Sequence, residues 1–189
     1  MILRTGTLAL ALAATLLSPA TRADTLDFDA LPARDLTTTV LSLPQATLTA
    51  SGTTLYNLKE FYFIGAGGAI CSISGAGLCN SDLSIDFTNP VSDLSFSTQG
   101  YGAGDTVTVY AYAGATLLGT QTVTSDGLVD LTAYSGVTRL FLDDESSNGG
   151  YGYGAFSFTT AVPEPGTYAL MLGGIAALGA VARRRRQQG

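Results

Sequence analysis

Histidine is absent from all 189 residues. Its absence removes Ser-His-Asp and Cys-His catalysis in their usual forms, and His-ligated zinc, iron and copper with them. Tryptophan is absent too, so any stacking on a sugar ring falls to tyrosine and phenylalanine. There are two cysteines, and a metal site or a catalytic thiol built on them lacks partners. Basic residues are scarce: of nine Lys and Arg, six lie toward the ends, at Arg4, Arg22 and Arg183–Arg186. Residues 24–161 hold Arg34, Lys59 and Arg139 against fourteen Asp and Glu, a net charge of −11. That sign disfavours nucleic acid and anionic lipid as partners, and suits cations and neutral glycans.

A convincing 3.6-residue apolar period is also missing between residues 24 and 161, whereas alternation with period two recurs. Leu83, Ile85 and Phe87 alternate with Ser84 and Asp86; Val107, Val109 and Ala111 alternate with Thr108, Tyr110 and Tyr112. Leu140 and Leu142 alternate with Arg139 and Phe141. Ser51-Gly52, Asn89-Pro90, Gly100–Asp105, Ala113-Gly114, Asp126-Gly127, Ser135-Gly136 and Asn148–Gly150 punctuate these runs as turns. The pattern predicts strands near 25–30, 37–43, 46–56, 60–64, 69–74, 82–88, 93–98, 105–113, 116–124, 127–131, 137–143 and 154–160. The fold class is all-β, an antiparallel β-sandwich or jelly roll in a single domain over 24–161. Gly100, Gly102 and Gly104 lead into a strand, so they read as a turn and not as a nucleotide loop.

The two ends differ from this middle. Arg4, an apolar run over Leu8–Leu17 and small residues at Thr21 and Ala23 read as a secretory signal peptide over 1–23, cleaved after Ala23. Export delivers Cys71 and Cys79 to an oxidising compartment, where a disulfide closing the short Gly/Ser loop stabilises by about 2–3 kcal/mol. At the other end, Pro163 and Pro165 keep Val162–Thr167 extended. An uncharged stretch over 168–182 follows, then Arg183–Arg186. As a helix the stretch spans roughly 22 Å against about 30 Å of hydrocarbon, a short transmembrane segment, and the arginines mark its cytoplasmic side.

Val162, Pro163, Glu164 and Pro165, the short span and the Arg cluster together resemble the PEP-CTERM sorting signal of exported Gram-negative bacterial proteins. The resemblance covers 162–189. It implies recognition by an exosortase, cleavage near Pro163–Pro165, and an association with exopolysaccharide and biofilm. The implied route is an inner-membrane-anchored precursor that is then delivered to the cell envelope, the outer surface or the extracellular space. From Leu83 to Thr159, the order of strands is similar to galactose-binding-like jelly-roll modules. Those modules carry Ile-Asp-Asn or Ile-Asp-Asp before the last strand, where this chain has Gly150–Gly154.

Three functional readings follow. The first is a non-enzymatic exopolysaccharide- or carbohydrate-binding module. Its candidates are Tyr151 and Tyr153, which a flexible glycine loop presents to solvent, and Tyr101; Tyr110, Tyr112 and Tyr134 are further aromatic candidates. Ca2+ is the candidate ion: Asp143, Asp144 and Glu145 form the densest oxygen cluster, with Asp27 and Asp29 brought near by the first strand. The second is a structural matrix or adhesion protein. The third, remote, is a carboxylate-dependent glycosidase using Asp27 and Asp29, about 6.6 Å apart along a strand.

Overall fold

A computed structural model describes residues 20–59, 68–100, 102–162, 173–175 and 183. The chain divides into Arg22–Thr160 and a second unit of Met1–Thr21 with Ala161–Gly189. In the second unit, residues 173–175 are helical and exposed, and no helix among the described residues is long and apolar enough to cross a membrane. The rest of the span expected over 168–182 lies outside the described residues, as do Pro163, Glu164 and Pro165, residues 1–19 of the expected signal peptide, and the strand expected near 60–64.

Twelve strands carry the fold: β1 (Ala20–Leu26), β2 (Arg34–Asp35), β3 (Val40–Ser42), β4 (Ala46–Ala50), β5 (Thr54–Asn57), β6 (Ala69–Ile73), β7 (Leu83–Gln99), β8 (Val107–Ala113), β9 (Thr116–Val123), β10 (Gly127–Asp130), β11 (Val137–Asp144) and β12 (Gly152–Val162). β1 crosses the expected cleavage position after Ala23. The run expected over 46–56 divides at Ser51–Thr53. There a Cβ on Gly52 would sit 2.0 Å from the Ile73 carbonyl oxygen, so the backbone passes too close for any other residue.

The larger correction concerns Asn89-Pro90. Two strands were expected on either side of a turn; one 17-residue strand, β7, runs through it. Its first half pairs with β4 (Ala46↔Phe87 to Ala50↔Leu83) and with β11 (Arg139↔Asp86 to Leu142↔Leu83). Its second half pairs with β10 (Asp130↔Ser95 to Gly127↔Thr98) and with β12 (Thr160↔Val91 to Gly152↔Gln99). Between them Thr88, Asn89 and Pro90 are exposed, and the β11 register jumps from Asp86 to Val91. Proline has no N–H to donate, so a ladder cannot run through it unbroken. There β4 gives way to β10 and β12, while β11 resumes beyond the gap at Val137↔Val91.

The result is an open, sandwich-like antiparallel sheet with two portions sharing β7. One portion runs β3-β4-β7-β11-β8-β9, the other β10-β7-β12-β6-β5-β2, with β1 beside β12. A single core joins them. Ile85, Val109, Leu140 and Leu142 come from the first portion, and Ile70, Phe96, Tyr153 and Phe156 from the second. Phe96 stacks on Phe156 at 4.7 Å between ring centroids, Phe28 meets Phe156 edge-on at 6.3 Å, and Phe87 meets Phe158 at 5.3 Å. The expected disulfide is formed, with an S–S distance of 2.01 Å. It holds the loop after β6 where Cys79 bridges to Gly150.

Phe156 is fully buried and touches two other rings. Phe156→Ala is expected to lower unfolding stability by about 3–5 kcal/mol, read from urea denaturation midpoints. A loss below about 1 kcal/mol would mean that the shared aromatic core does not hold the two portions together.

Candidate functional site

The five residues Gly150–Gly154 were expected to form a flexible, solvent-facing loop. The structure corrects this. Tyr151 and Tyr153 are fully buried, and the glycines are there for close approach. A Cβ on Gly150 would lie 2.0 Å from the Cys79 carbonyl oxygen, one on Gly152 2.5 Å from Leu58 Cδ1, and one on Gly154 2.7 Å from Ser97 Oγ. Alternation then sends both tyrosines to the opposite, inner side. Neither ring is a platform for a ligand. Tyr101 lies outside the described residues.

Each tyrosine hydroxyl ends on a polar network at one end of the core. Tyr153 donates to Asp144 Oδ2 at 3.0 Å, and Tyr151 to the Asp105 carbonyl oxygen at 3.3 Å. The Ser146 N–H donates to Asp144 Oδ1 at 3.0 Å, and the Asp144 N–H to Asp82 Oδ1 at 3.2 Å. Asp105, also buried, accepts from the N–H groups of Gly102 at 2.8 Å and Asn148 at 3.3 Å. The network ties the loop before β8 to the loop after β11. Burial pushes the Asp144 carboxyl above its ordinary value of 3.8, partly offset by hydrogen bonds from Ser146, Tyr153 and Tyr151. Burial, and then the Asp144 charge, push the Tyr153 hydroxyl well above its ordinary value.

The expected Ca2+ cluster is not assembled. Asp143 and Asp144 are neighbours on a strand and face opposite sides; Asp144 is buried, while Glu145, Asp27 and Asp29 are exposed. Among the described residues, no group of three or more His, Cys, Asp or Glu is placed to hold a metal ion. The Asp29 N–H caps Asp27 Oδ1 at 3.3 Å, a local turn contact.

What the fold does assemble is the outer face of β7, β11 and β8. Registration sets two cross-strand rows. Asp86, Arg139 and Tyr112 stand side by side in one, and Ser84, Phe141 and Tyr110 in the next. All are partly or fully exposed. Arg139 Nε donates to Asp86 Oδ1 at 2.6 Å, and the hydrogen bond and charge of Asp86 hold the guanidinium pKa above its ordinary value. Tyr110 and Phe141 lie 6.0 Å apart at a 39° tilt. Beside them opens a recess of about 340 Å³, lined by Ser84, Tyr112, Arg139, Phe141 and the Gly114-Ala115 hairpin. Alternation already set Tyr110 and Tyr112 apart from the apolar positions of β8. The same alternation set Arg139 and Phe141 apart on β11, but nothing in the sequence showed that Asp86 and Ser84 lie opposite them.

The PEP-CTERM protein-sorting motif matches residues 161–186 of the chain. Its presence marks an exported protein processed by an exosortase. No curated protein matches the chain.

A carboxyl whose pKa is raised on folding binds its proton more tightly in the folded state. Its contribution is therefore fully present below 3.8 and is lost as pH rises through the folded value. Asp144→Asn removes that titration. The stability of the wild type relative to this variant should fall between acid pH and neutrality, measured by urea unfolding at each pH. A difference constant with pH would show that Asp144 does not titrate in this window. Tyr153→Phe leaves Asp144 short of a buried donor and should cost about 1–3 kcal/mol.

Proposed function

We propose that the exported domain is a non-catalytic carbohydrate-binding module that holds neutral sugars of an exopolysaccharide on the outer face of β7, β11 and β8. One observation carries the reading: a recess of about 340 Å³ lined by Tyr112, Phe141 and Arg139, whose guanidinium donates to Asp86. Its volume falls within the range of roughly 300–1,000 Å³ usual for small-ligand sites. Aromatic faces stack on the apolar side of a sugar ring, and a fixed ion pair supplies both donors and acceptors for hydroxyl groups. The net charge of −11 over residues 24–161 repels polyanions and leaves neutral glycans as the better partners. The sorting motif supports this reading only in that it marks an exported protein, whose domain can meet extracellular polymers. A structural matrix or adhesion role is the second reading, favoured by the uncharged edge strand β9.

The test is co-sedimentation of the full chain with exopolysaccharide from the producing cells. Tyr112→Ala and Phe141→Ala should each weaken saturable binding about tenfold, or about 1.4 kcal/mol, while the variants keep a cooperative thermal transition. Unchanged binding in both variants would remove this face as the site. No binding by the wild type would leave the structural role.

A further inference from the structure

We propose that Asn148 is a site of spontaneous covalent modification, deamidation to aspartate and isoaspartate, and that the change opens the clamp between the loop before β8 and the loop after β11. The reaction is a ring closure between adjacent residues. The Gly149 backbone nitrogen loses its proton and attacks Asn148 Cγ; the new C–N bond forms as the side-chain amide leaves as ammonia. Water then opens the resulting cyclic imide at either carbonyl. One opening gives aspartate, and the other gives isoaspartate, in which the main chain runs through Cβ and Cγ. Nucleophile and electrophile belong to neighbouring residues, so no second molecule other than water has to be brought up.

The chain has four asparagines, Asn57, Asn80, Asn89 and Asn148, and only Asn148 precedes a glycine. The structure separates them further by the nitrogen that would attack. After Asn57 the Leu58 N–H is committed to the Ala69 carbonyl at 2.8 Å, and after Asn80 the Ser81 N–H donates to the Ser72 carbonyl at 3.4 Å. Asn89 precedes Pro90, which has no N–H to lose. The Gly149 N–H has no acceptor among the described residues. Asn148 and Gly149 are both exposed, and a Cβ on Gly149 would meet nothing within 4 Å.

The consequence lies in what Asn148 holds. Its Nδ2 donates to the Ala103 carbonyl at 2.6 Å, and its N–H donates to the buried Asp105 Oδ1 at 3.3 Å. Deamidation replaces the first donor with a carboxylate, so two acceptors face one another beside a buried acid. Isoaspartate also adds a methylene to the main chain. The next residues leave that extra length no slack: Gly150 packs against the Cys79 carbonyl, Cys79 is disulfide-bonded, and Tyr151 donates to the Asp105 carbonyl at 3.3 Å. This proposal does not depend on glycan binding.

The test is ageing of the full chain in a nonionic detergent, at neutral and at mildly alkaline pH. Digestion at acid pH, peptide mass spectrometry and isoaspartyl methyltransferase labelling then locate the product, against an unaged sample. Isoaspartate should accumulate at position 148, faster at the higher pH because the attacking nitrogen must lose its proton, and the melting temperature should fall as it does. Gly149→Ala fits the open space, keeps the unaged melting temperature and should slow the conversion at least about tenfold. Asn148→Asp, the product made without the reaction, should lower the melting temperature by about 2–6 °C. No isoaspartate at position 148, or equal conversion at Asn57 or Asn80, overturns the assignment of the site. Conversion that leaves the melting temperature unchanged overturns the opening of the clamp.

Discussion

A 17-residue strand with Pro90 in its middle loses a ladder donor there, and its register with β11 breaks. The rest of the domain is arranged around that constraint. Before the proline, β7 lies between β4 and β11; after it β10 and β12 are its main partners, with β11 still reaching Val91 through Val137. One covalent strand therefore belongs to both portions of the sheet, and the exposed Thr88–Pro90 corner redirects it between them. The inward residues on either side of the corner, Phe87 and Val91, fall into one core. Phe87 meets Phe158 of β12, so a ring contact spans the place where the ladder is interrupted.

Much of this was legible as period-two alternation. Leu83, Ile85, Phe87, Val107, Val109, Ala111, Leu140 and Leu142 are buried, and the residues between them, Phe141 included, face outward. Turn chemistry was less reliable, because the same residues serve two physical ends. Asn89-Pro90 reads as a turn, yet here proline only exchanges one set of partners for another. Gly150–Gly154 reads as a flexible loop, yet three of its glycines are where neighbouring atoms leave no room for a Cβ. Composition cannot tell freedom of backbone from closeness of packing; only the neighbours can. The acidic run at Asp143–Glu145 misled for a related reason. Adjacent residues on a strand point to opposite sides, so density along the chain is not density in space. The rows that build the outer face were out of reach, since Asp86 and Arg139 meet through a pairing 53 residues long in sequence.

The electrostatics make that pairing informative. Lys59 donates to the backbone carbonyls of Asp29 at 2.9 Å and Leu31 at 2.6 Å, fastening the loop after β1. Arg139 instead projects from mid-strand on the exposed face, where an acidic domain has most freedom to leave a carboxylate unpaired. A surface ion pair of this kind stabilises little, a median of about 0–1 kcal/mol. Its value is positional. Bonded to Asp86, the guanidinium lines the same recess as Tyr112 and Phe141.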